Sequence, residues 1–319
     1  MYYTPVVAQT STETSILRIG SRGSALALVQ AREAQSRLVR ACGIAAGRIE
    51  IKTIRTTGDL IQDRPLAEAG GKGLFTKEIE EALLAGAIDL AVHSSKDMPT
   101  ILPPGLVLSA FLPREDARDA FVSRKASRLR DLPIGAVVGT ASPRRQALIK
   151  RQRPDLAMVP LRGNVETRLH KIEAGDADAT VLAMAGLKRL GLAAAATAIF
   201  DVEEFLQAVG QGAIGIETRA DDTATRALVA RIDDPDTAIA LAAERAFLAA
   251  LGGSCRTPIA GHARIDGDTV TFRGLLAKTD GSETIEVSRQ GRRAHAAALG
   301  SDAGHEIKAR AGAGFFVED

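Results

Sequence analysis

The chain has 319 residues, of which 45% are hydrophobic, 25% charged and 3% aromatic, with no tryptophan. That length predicts two or three domains, and the composition excludes disorder while leaving the cores to Ala, Leu, Ile and Val. A net charge of +2 excludes bulk attraction to nucleic acid or an anionic membrane, so basic residues must act locally.

In chain order, the first fifteen residues, MYYTPVVAQTSTETS, show neither a basic leader nor an apolar stretch of signal length. They read as a loose tail on a cytoplasmic protein. No apolar run is long enough to span a bilayer. From residue 16 strand and helix signals alternate. ILRIGS reads as a strand, SALALVQAREAQSRLVRACG as an amphipathic helix closed by Gly43, and IEIKTIRT as a strand. TKEIEEALLAG reads as a second helix, N-capped by Thr76 and stopped at Gly86. IDLAVH and LVLSAFL are further strands. The same grammar restarts near residue 119, with strands AVVGT, LAMVPL and ATVLAM and helices RRQALIKRQ and VETRLHKIEAG. Such alternation predicts mostly parallel sheets with helices on their faces. PREDARD, at 113–119, and LQAVGQG, near 206–212, read as crossings between two lobes, and two crossings predict a cleft that opens and closes. From about 235 the pattern changes. A helix, TAIALAAERAFLAAL, runs into a glycine turn, then come short strands TVTFRGLLA and TIEVSRQ and a last Ala-rich helix. This end reads as a separate α+β domain.

Several turns carry chemistry. HSSKDMP, 93–99, follows a strand, where open α/β sheets line their ligand crevice, and this places Lys96 and Asp97 there. A solvated charge pair ahead of Pro99 is the alternative. In GTASPRRQ, 139–146, Ser142 suits an N-cap and Pro143 the first helical position, leaving Arg144 and Arg145 in the first turn. The helix dipole is positive there, so two arginines need compensation, and a bound anion would supply it. Exposed arginines that simply tolerate the position are the competing reading. LRGNVETR, 161–168, repeats the arrangement with Arg162, the cap Asn164 and Arg168, and GSRGS, 20–24, with Arg22 and Ser24. Arginine forks match carboxylates bidentately, so a ligand bearing several carboxylates is implied, with phosphates as the competitor. No dinucleotide fingerprint, Walker motif or nucleophile elbow is present. His93, His170, His262, His295 and His305 form no metal-ligand spacing, and no metal is expected. Cys42 and Cys255 are too far apart for a disulfide framework and read as free thiols. Cys42 ends an amphipathic helix and suits a small hydrophobe, whereas Cys255 sits in the turn LGGSCRTPIAG, an unusual place for a packing residue.

Together, LRIGSRGSALALVQA, GGKGLFTKEIEEALL, IDLAVHSSKDMP, REDARDAFVS, GTASPRRQ, LRGNVETRL, LAMAGLKRLGL, AVGQGAIGIE and AALGGSCRTPIAG closely resemble the porphobilinogen deaminase (hydroxymethylbilane synthase) family. The resemblance runs over nearly the whole chain from about residue 16. It implies a transferase that joins four porphobilinogen molecules head to tail, releasing four ammonia, into hydroxymethylbilane. It implies an α/β fold of three domains: two periplasmic-binding-protein-like lobes around a cleft and a smaller α+β C-terminal domain. The expected bounds are a tail at 1–15, lobe one at 16–112 with 213–231, lobe two at 118–207, and the third domain at 235–319.

By the same resemblance, Cys255 anchors a dipyrromethane cofactor through a thioether, assisted by a thiolate's softness. Thr140, Ser142, Arg144, Arg145 and Lys96 would hold that cofactor. Arg22, Ser24, Gln30, Lys72, Phe75, Ser94, Arg162 and Arg168 would bind the substrate's acetates and propionates. Asp97 matches the catalytic carboxylate, stabilising positive charge as ammonia leaves. The family also implies a monomer with no nucleic acid or membrane partner. Glu68, Ala141 and Ser254 depart from residues seen in some relatives. A two-lobed carboxylate-binding receptor is the rival from another class, but it would require neither Cys255 nor Asp97.

Overall fold

The computed structural model describes residues 17–60, 73–253, 257–312 and 314–316. The chain enters through β1 (Leu17–Ser21), α1 (Ala25–Cys42), β2 (Ile49–Thr53), the single turn α2 (Thr57–Leu60), α3 (Lys77–Leu84), β3 (Leu90–Ser94) and β4 (Leu106–Phe111). A second set follows: β5 (Asp119–Ser123), β6 (Val137–Gly139), α4 (Pro143–Gln152), β7 (Ala157–Val159), α5 (Val165–Ala174), β8 (Ala179–Ala183), α6 (Met184–Arg189) and β9 (Ala198–Ile199). The chain returns to the first set through β10 (Ile214–Arg219) and α7 (Thr223–Val229). It ends in α8 (Pro235–Ala250), β11 (Ile259–Asp266), β12 (Thr269–Ala277), β13 (Thr284–Arg292) and α9 (Ala296–Arg310). No helix among the described residues is long and apolar enough to cross a membrane.

Local signals fix most of these elements. Ser24 caps α1 by accepting from the Ala27 N–H, and Gly43 closes it in the left-handed conformation. Pro143 opens α4 behind its cap Ser142, and Asn164 caps α5, both as expected. Thr76 is a correction. It holds the cap position of α3, but its side chain makes no capping bond, because φ −122° and ψ −29° turn it away from the extended geometry of a cap. β11 is an addition, since the residues after Cys255 read from sequence only as part of a turn.

Two five-stranded sheets share one plan. Their orders are β2-β1-β3-β10-β4 and β7-β6-β8-β5-β9. In each, the first three strands run parallel and the fourth is antiparallel to both its neighbours. Strand alternation feeds two helical layers. From β3, Leu90 and Val92 pack with α1 residues such as Ala31 and Leu38, while Ala91 packs with Ile79 and Leu83 of α3. The second sheet is covered likewise, Phe121 and Val181 meeting Leu148 of α4, and Ala120 and Leu182 meeting Leu187 of α6. The third unit lays α8 and α9 on an antiparallel sheet, order β11-β12-β13, around the Phe247–Phe272 pair (5.0 Å).

The two crossings meet at α8. Arg114 of the first faces Glu244 of α8 at 2.5 Å and also donates to the Gln211 carbonyl of the second at 2.9 Å. Glu244, fully buried, further accepts the N–H groups of Gly210 (2.7 Å) and Ala263 (2.8 Å). The fit leaves room for no side chain at two glycines. A Cβ on Gly210 would lie 3.0 Å from the Lys96 nitrogen, and one on Gly212 would lie 2.5 Å from the Glu115 carbonyl, both at positive φ. Burial alone would push the Glu244 carboxyl up, but the Arg114 charge, His262 Nδ1 at 3.4 Å and the hydrogen bonds from Arg114 hold it at about 2, below the ordinary 4.5. A depressed carboxylate adds stability above its unfolded value, and that stability fades as pH falls through the folded one. Glu244→Gln should therefore cost about 3 kcal/mol at neutral pH. The gap from wild type should shrink between pH 4.5 and about 2, as read by denaturant unfolding across that range.

Candidate functional site

The expected residues gather at the C-terminal ends of the parallel strands of both lobes, where open sheets present their loops. β1 leads to Arg22 and Ser24, and β3 to Lys96 and Asp97. β6 leads to Thr140, Ser142, Arg144 and Arg145, and β7 to Arg162 and Arg168. A small cavity of about 30 Å³ between the lobes is lined by Gln30, Ser94 and Lys96 on one side and Ala185, Gly186 and Arg189 on the other. Gln30 and Ser94 hydrogen-bond each other at 2.9 Å.

The arginine pair of α4 is buried and already carries a counter-ion. Arg144 Nη2 lies 2.8 Å from Asp119 Oδ2, and Arg145 donates to Asp119 Oδ1 at 2.7 and 3.1 Å. The anion that these arginines demand at a helix N-terminus is thus partly supplied by the first residue of β5. Arg144 also donates to the Leu206 carbonyl at 2.8 Å. Burial would raise the Asp119 carboxyl, but Arg144 and Arg145 outweigh it and hold it at about 2. Arg22 is likewise engaged: its Nη2 meets Asp59 at 2.5 Å, and its guanidinium lies 4.1 Å from the Phe75 ring centroid.

Other cations keep free donors. Arg168 contacts only the Gly163 carbonyl (2.9 Å) among the described residues. Loss of hydration, then the charges of Arg145 and Arg162, push it down to about 10 against the pull of Asp97. Arg162 has a buried Nη1 with no partner among the described residues. Lys96 is exposed by surface area, yet the cleft walls crowd it, and this crowding sets its hydration. Desolvation first and the Arg145 charge second push it down to about 8, with Asp97 and Asp119 pulling the other way. Among the described residues Asp97 is exposed and makes no hydrogen bond or ion pair, so its carboxylate is free to meet a ligand.

The hydroxyls are half committed. Ser24 and Ser142 accept from the Ala27 and Arg145 N–H groups, and Thr140 accepts from the Ser142 N–H at 3.2 Å. Each keeps its own proton to donate. His93 Nε2 lies 3.2 Å from Glu217 across the β3–β10 pair. Cys42 is half-buried against the first core, with Sγ 3.6 Å from the Leu228 carbonyl. Among the described residues no group of three or more His, Cys, Asp or Glu could hold a metal. Lys72, Glu68, Ser254 and Cys255 lie outside the described residues. Gly253 lies close to the turn that follows Asp97, since a Cβ on it would be 2.8 Å from Thr100 Oγ1. Arg245 of α8 donates to the Pro99 carbonyl of the same turn at 2.8 Å.

Sequence reading missed Asp59, Asp119, Arg189 and Gln211. Arg189 donates to the Gly212 carbonyl at 3.0 Å and faces Glu33 at 3.6 Å. A lone Asp opening the apolar run DAFVS was a usable sign for Asp119, and the place at the end of the short helix that follows β8 was one for Arg189.

Fold and cleft together define a two-lobed α/β protein that gathers cations between its lobes and brings a third domain up to their rim. Residues 17–227 match the family model "Porphobilinogen deaminase, dipyromethane cofactor binding domain", and residues 238–309 match "Porphobilinogen deaminase, C-terminal domain". The porphobilinogen deaminase of Nitrobacter winogradskyi is 63% identical over 97% of this chain and 98% of its own. That of Paracoccus denitrificans is 56% identical over 94% and 96%. Among solved structures, a putative methionine-binding lipoprotein from Bacillus subtilis is 14% identical over 68% of this chain and 90% of its own, with a TM-score of 0.43. The chain belongs to the porphobilinogen deaminase family. It is a transferase of tetrapyrrole biosynthesis whose lobes form the dipyrromethane cofactor-binding region.

The depressed Lys96 ammonium is directly measurable. After reductive ¹³C-methylation, its resonance should titrate near pH 8, well below the usual lysine value of about 10.4. Arg145→Gln should move the midpoint upward by removing a like charge.

Proposed function

We infer that the cleft is a polymerisation chamber that holds its pyrroles by their carboxylates. The chain joins porphobilinogen molecules head to tail, releasing ammonia at each joining, into hydroxymethylbilane on a dipyrromethane primer. One observation supports the site assignment above the others: in the cleft Lys96, Arg144, Arg145, Arg162 and Arg168 outnumber the carboxylates Asp97 and Asp119. A dipyrromethane bearing acetates and propionates fits this set, because buried donors such as Arg162 Nη1 find no partner among the described residues.

Lys96, Arg144, Arg145, Ser142 and Thr140 would hold the cofactor's carboxylates, and Cys255 would anchor it through a thioether. Once bound, the cofactor would supply the free pyrrole carbon to which the first incoming unit is joined, and later units would join the end of the chain grown from it. Arg22, Ser24, Gln30, Lys72, Phe75, Ser94, Arg162 and Arg168 would receive the incoming pyrroles. Asp97 would place its charge beside the pyrrole N–H, favouring the cation that develops as ammonia departs, and would then accept the proton lost as the joined ring regains aromaticity. Lys96, with its ammonium near neutrality, would bind a carboxylate most firmly below pH 8. The domains would span 16–112 with 213–231, 118–207 and 235–319. A free thiol at Cys42 suits a reducing, cytoplasmic setting, and the family resemblance supports a monomer without nucleic-acid or membrane partners. A carboxylate receptor without catalysis is not favoured, because the relatives matching over nearly the whole chain are deaminases.

Intact mass under denaturing conditions tests the anchor. The purified protein, or the protein after incubation with porphobilinogen, should carry an excess of two pyrrole units, and Cys255→Ser should lack it. An unmodified wild type after incubation would count against the tethered primer. Asp97→Ala should keep the two-unit mass while kcat falls by about 10² to 10⁴, and near-normal turnover would remove Asp97 from the chemistry.

A further inference from the structure

Gln211 sits in the second crossing with only 1% of its surface exposed. Its Nε2 donates to the Ala117 carbonyl at 2.8 Å and to Asp119 Oδ1 at 3.1 Å. Its main-chain carbonyl accepts from Arg114 Nε at 2.9 Å. Ala117 and Arg114 belong to the first crossing, and Asp119 is the carboxylate shared by Arg144 and Arg145. One side chain therefore joins both connections between the lobes to the counter-ion of the arginine pair. Gln211 Oε1, by contrast, is buried without a partner among the described residues. Leaving an acceptor unmet in this way is unfavourable, which indicates that the donor end decides how the amide is held.

We propose that Gln211 is a positioning residue for the polymerisation: its amide fixes the Asp119 carboxylate with one oxygen toward each arginine, and so keeps Arg144 and Arg145 in register with both crossings during elongation. This rests on the reading of the cleft given above. Asp119 Oδ1 takes Arg145 and Gln211 together, while Oδ2 faces Arg144. Without the amide donor the carboxylate is free to turn, and the two guanidinium forks lose their common reference. The requirement is for a donor, since an ionised carboxylate can only accept. A side chain that merely filled the space would not meet it.

The protein tests this with Gln211→Leu and Gln211→Glu, each read by denaturing intact mass and by kcat and KM between about pH 4 and 9, a range that spans the titration of an ordinary glutamate. Charged groups around the site are Asp119 of β5, Arg144 and Arg145 of α4, Arg114 and Glu115 of the first crossing, Arg189 of α6, Glu244 of α8 and Lys96 after β3. Both variants should carry the two-pyrrole mass. Gln211→Leu should lose about tenfold in kcat/KM at every pH. Gln211→Glu should approach wild type at the acid end, where a neutral carboxyl donates to Asp119. It should then fall away as pH rises and that carboxyl ionises against its neighbour. A structural filler would show no such rescue.

Gln211→Leu within about twofold of wild type, or a Gln211→Glu ratio to wild type that is flat with pH, would overturn the proposal. A folded Gln211→Leu without primer would also overturn it, by assigning the residue to anchoring and not to elongation. If Gln211→Leu does not fold, the acid rescue of Gln211→Glu decides alone. A wild type that gains no pyrrole mass would instead defeat the functional reading, and that control separates the two failures.

Discussion

Everything in this molecule hangs from the carboxylate of Glu244. Its two oxygens accept from Arg114 in the first crossing, Gly210 in the second and Ala263 in β11. A charge with no exposed surface is tolerable only when its lone pairs are met and a cation is close, and both conditions hold here. The crossings are thereby tied to α8 and to each other. A change in the angle between the lobes must be taken up outside Arg114 and residues 210–212. Aromatic packing reinforces the arrangement on one side, where Phe205 of the second crossing stacks on Phe200 at 4.3 Å. Leu206 beside it joins a core that includes Leu275 of the third unit.

The cleft that this framework supports is an incompletely neutralised cation cluster. Asp119 lets two arginines lie buried side by side, but one carboxylate cannot satisfy both guanidinium groups together with Arg168 of the same lobe and Lys96 of the other. The remaining positive potential suits a chain of carboxylates, and the low-dielectric walls of the cleft strengthen it. Arg22 contributes less than its place suggests, since Asp59 and Phe75 already hold it. A ligand carboxylate reaching Arg22 must share or displace that pairing.

Much of this was legible in the sequence because short-range rules govern it. The caps at Ser24, Ser142 and Asn164, the C-cap at Gly43 and the apolar run IDLAVH each depend on neighbours a few residues away. Thr76 misled because its residue type suits a cap while its backbone does not adopt cap geometry. The pairing of Asp119 with Arg144 and Arg145 was not legible, since it spans β5 and α4 across the sheet. Asp59 with Arg22 and Glu244 with Arg114 are hidden for the same reason: charge partners distant in sequence leave no periodic trace. β11 escaped because glycine and histidine interrupt its apolar alternation just after the cysteine turn.

The shared plan of the two sheets carries a consequence for how the chain is made. In the second lobe the antiparallel strand β5 precedes the others, so every strand of that sheet lies between residues 119 and 199. In the first lobe the equivalent strand is β10, which separates β3 from β4 and arrives only after the whole second lobe. During synthesis from the N-terminus, β4 has no partner in its sheet until β10 has emerged. The lobe encoded second is therefore the first able to complete its sheet, and the lobe encoded first must wait with an open edge. A nascent chain that has exposed residue 199 but not yet β10 would hold one finished lobe and one unfinished sheet.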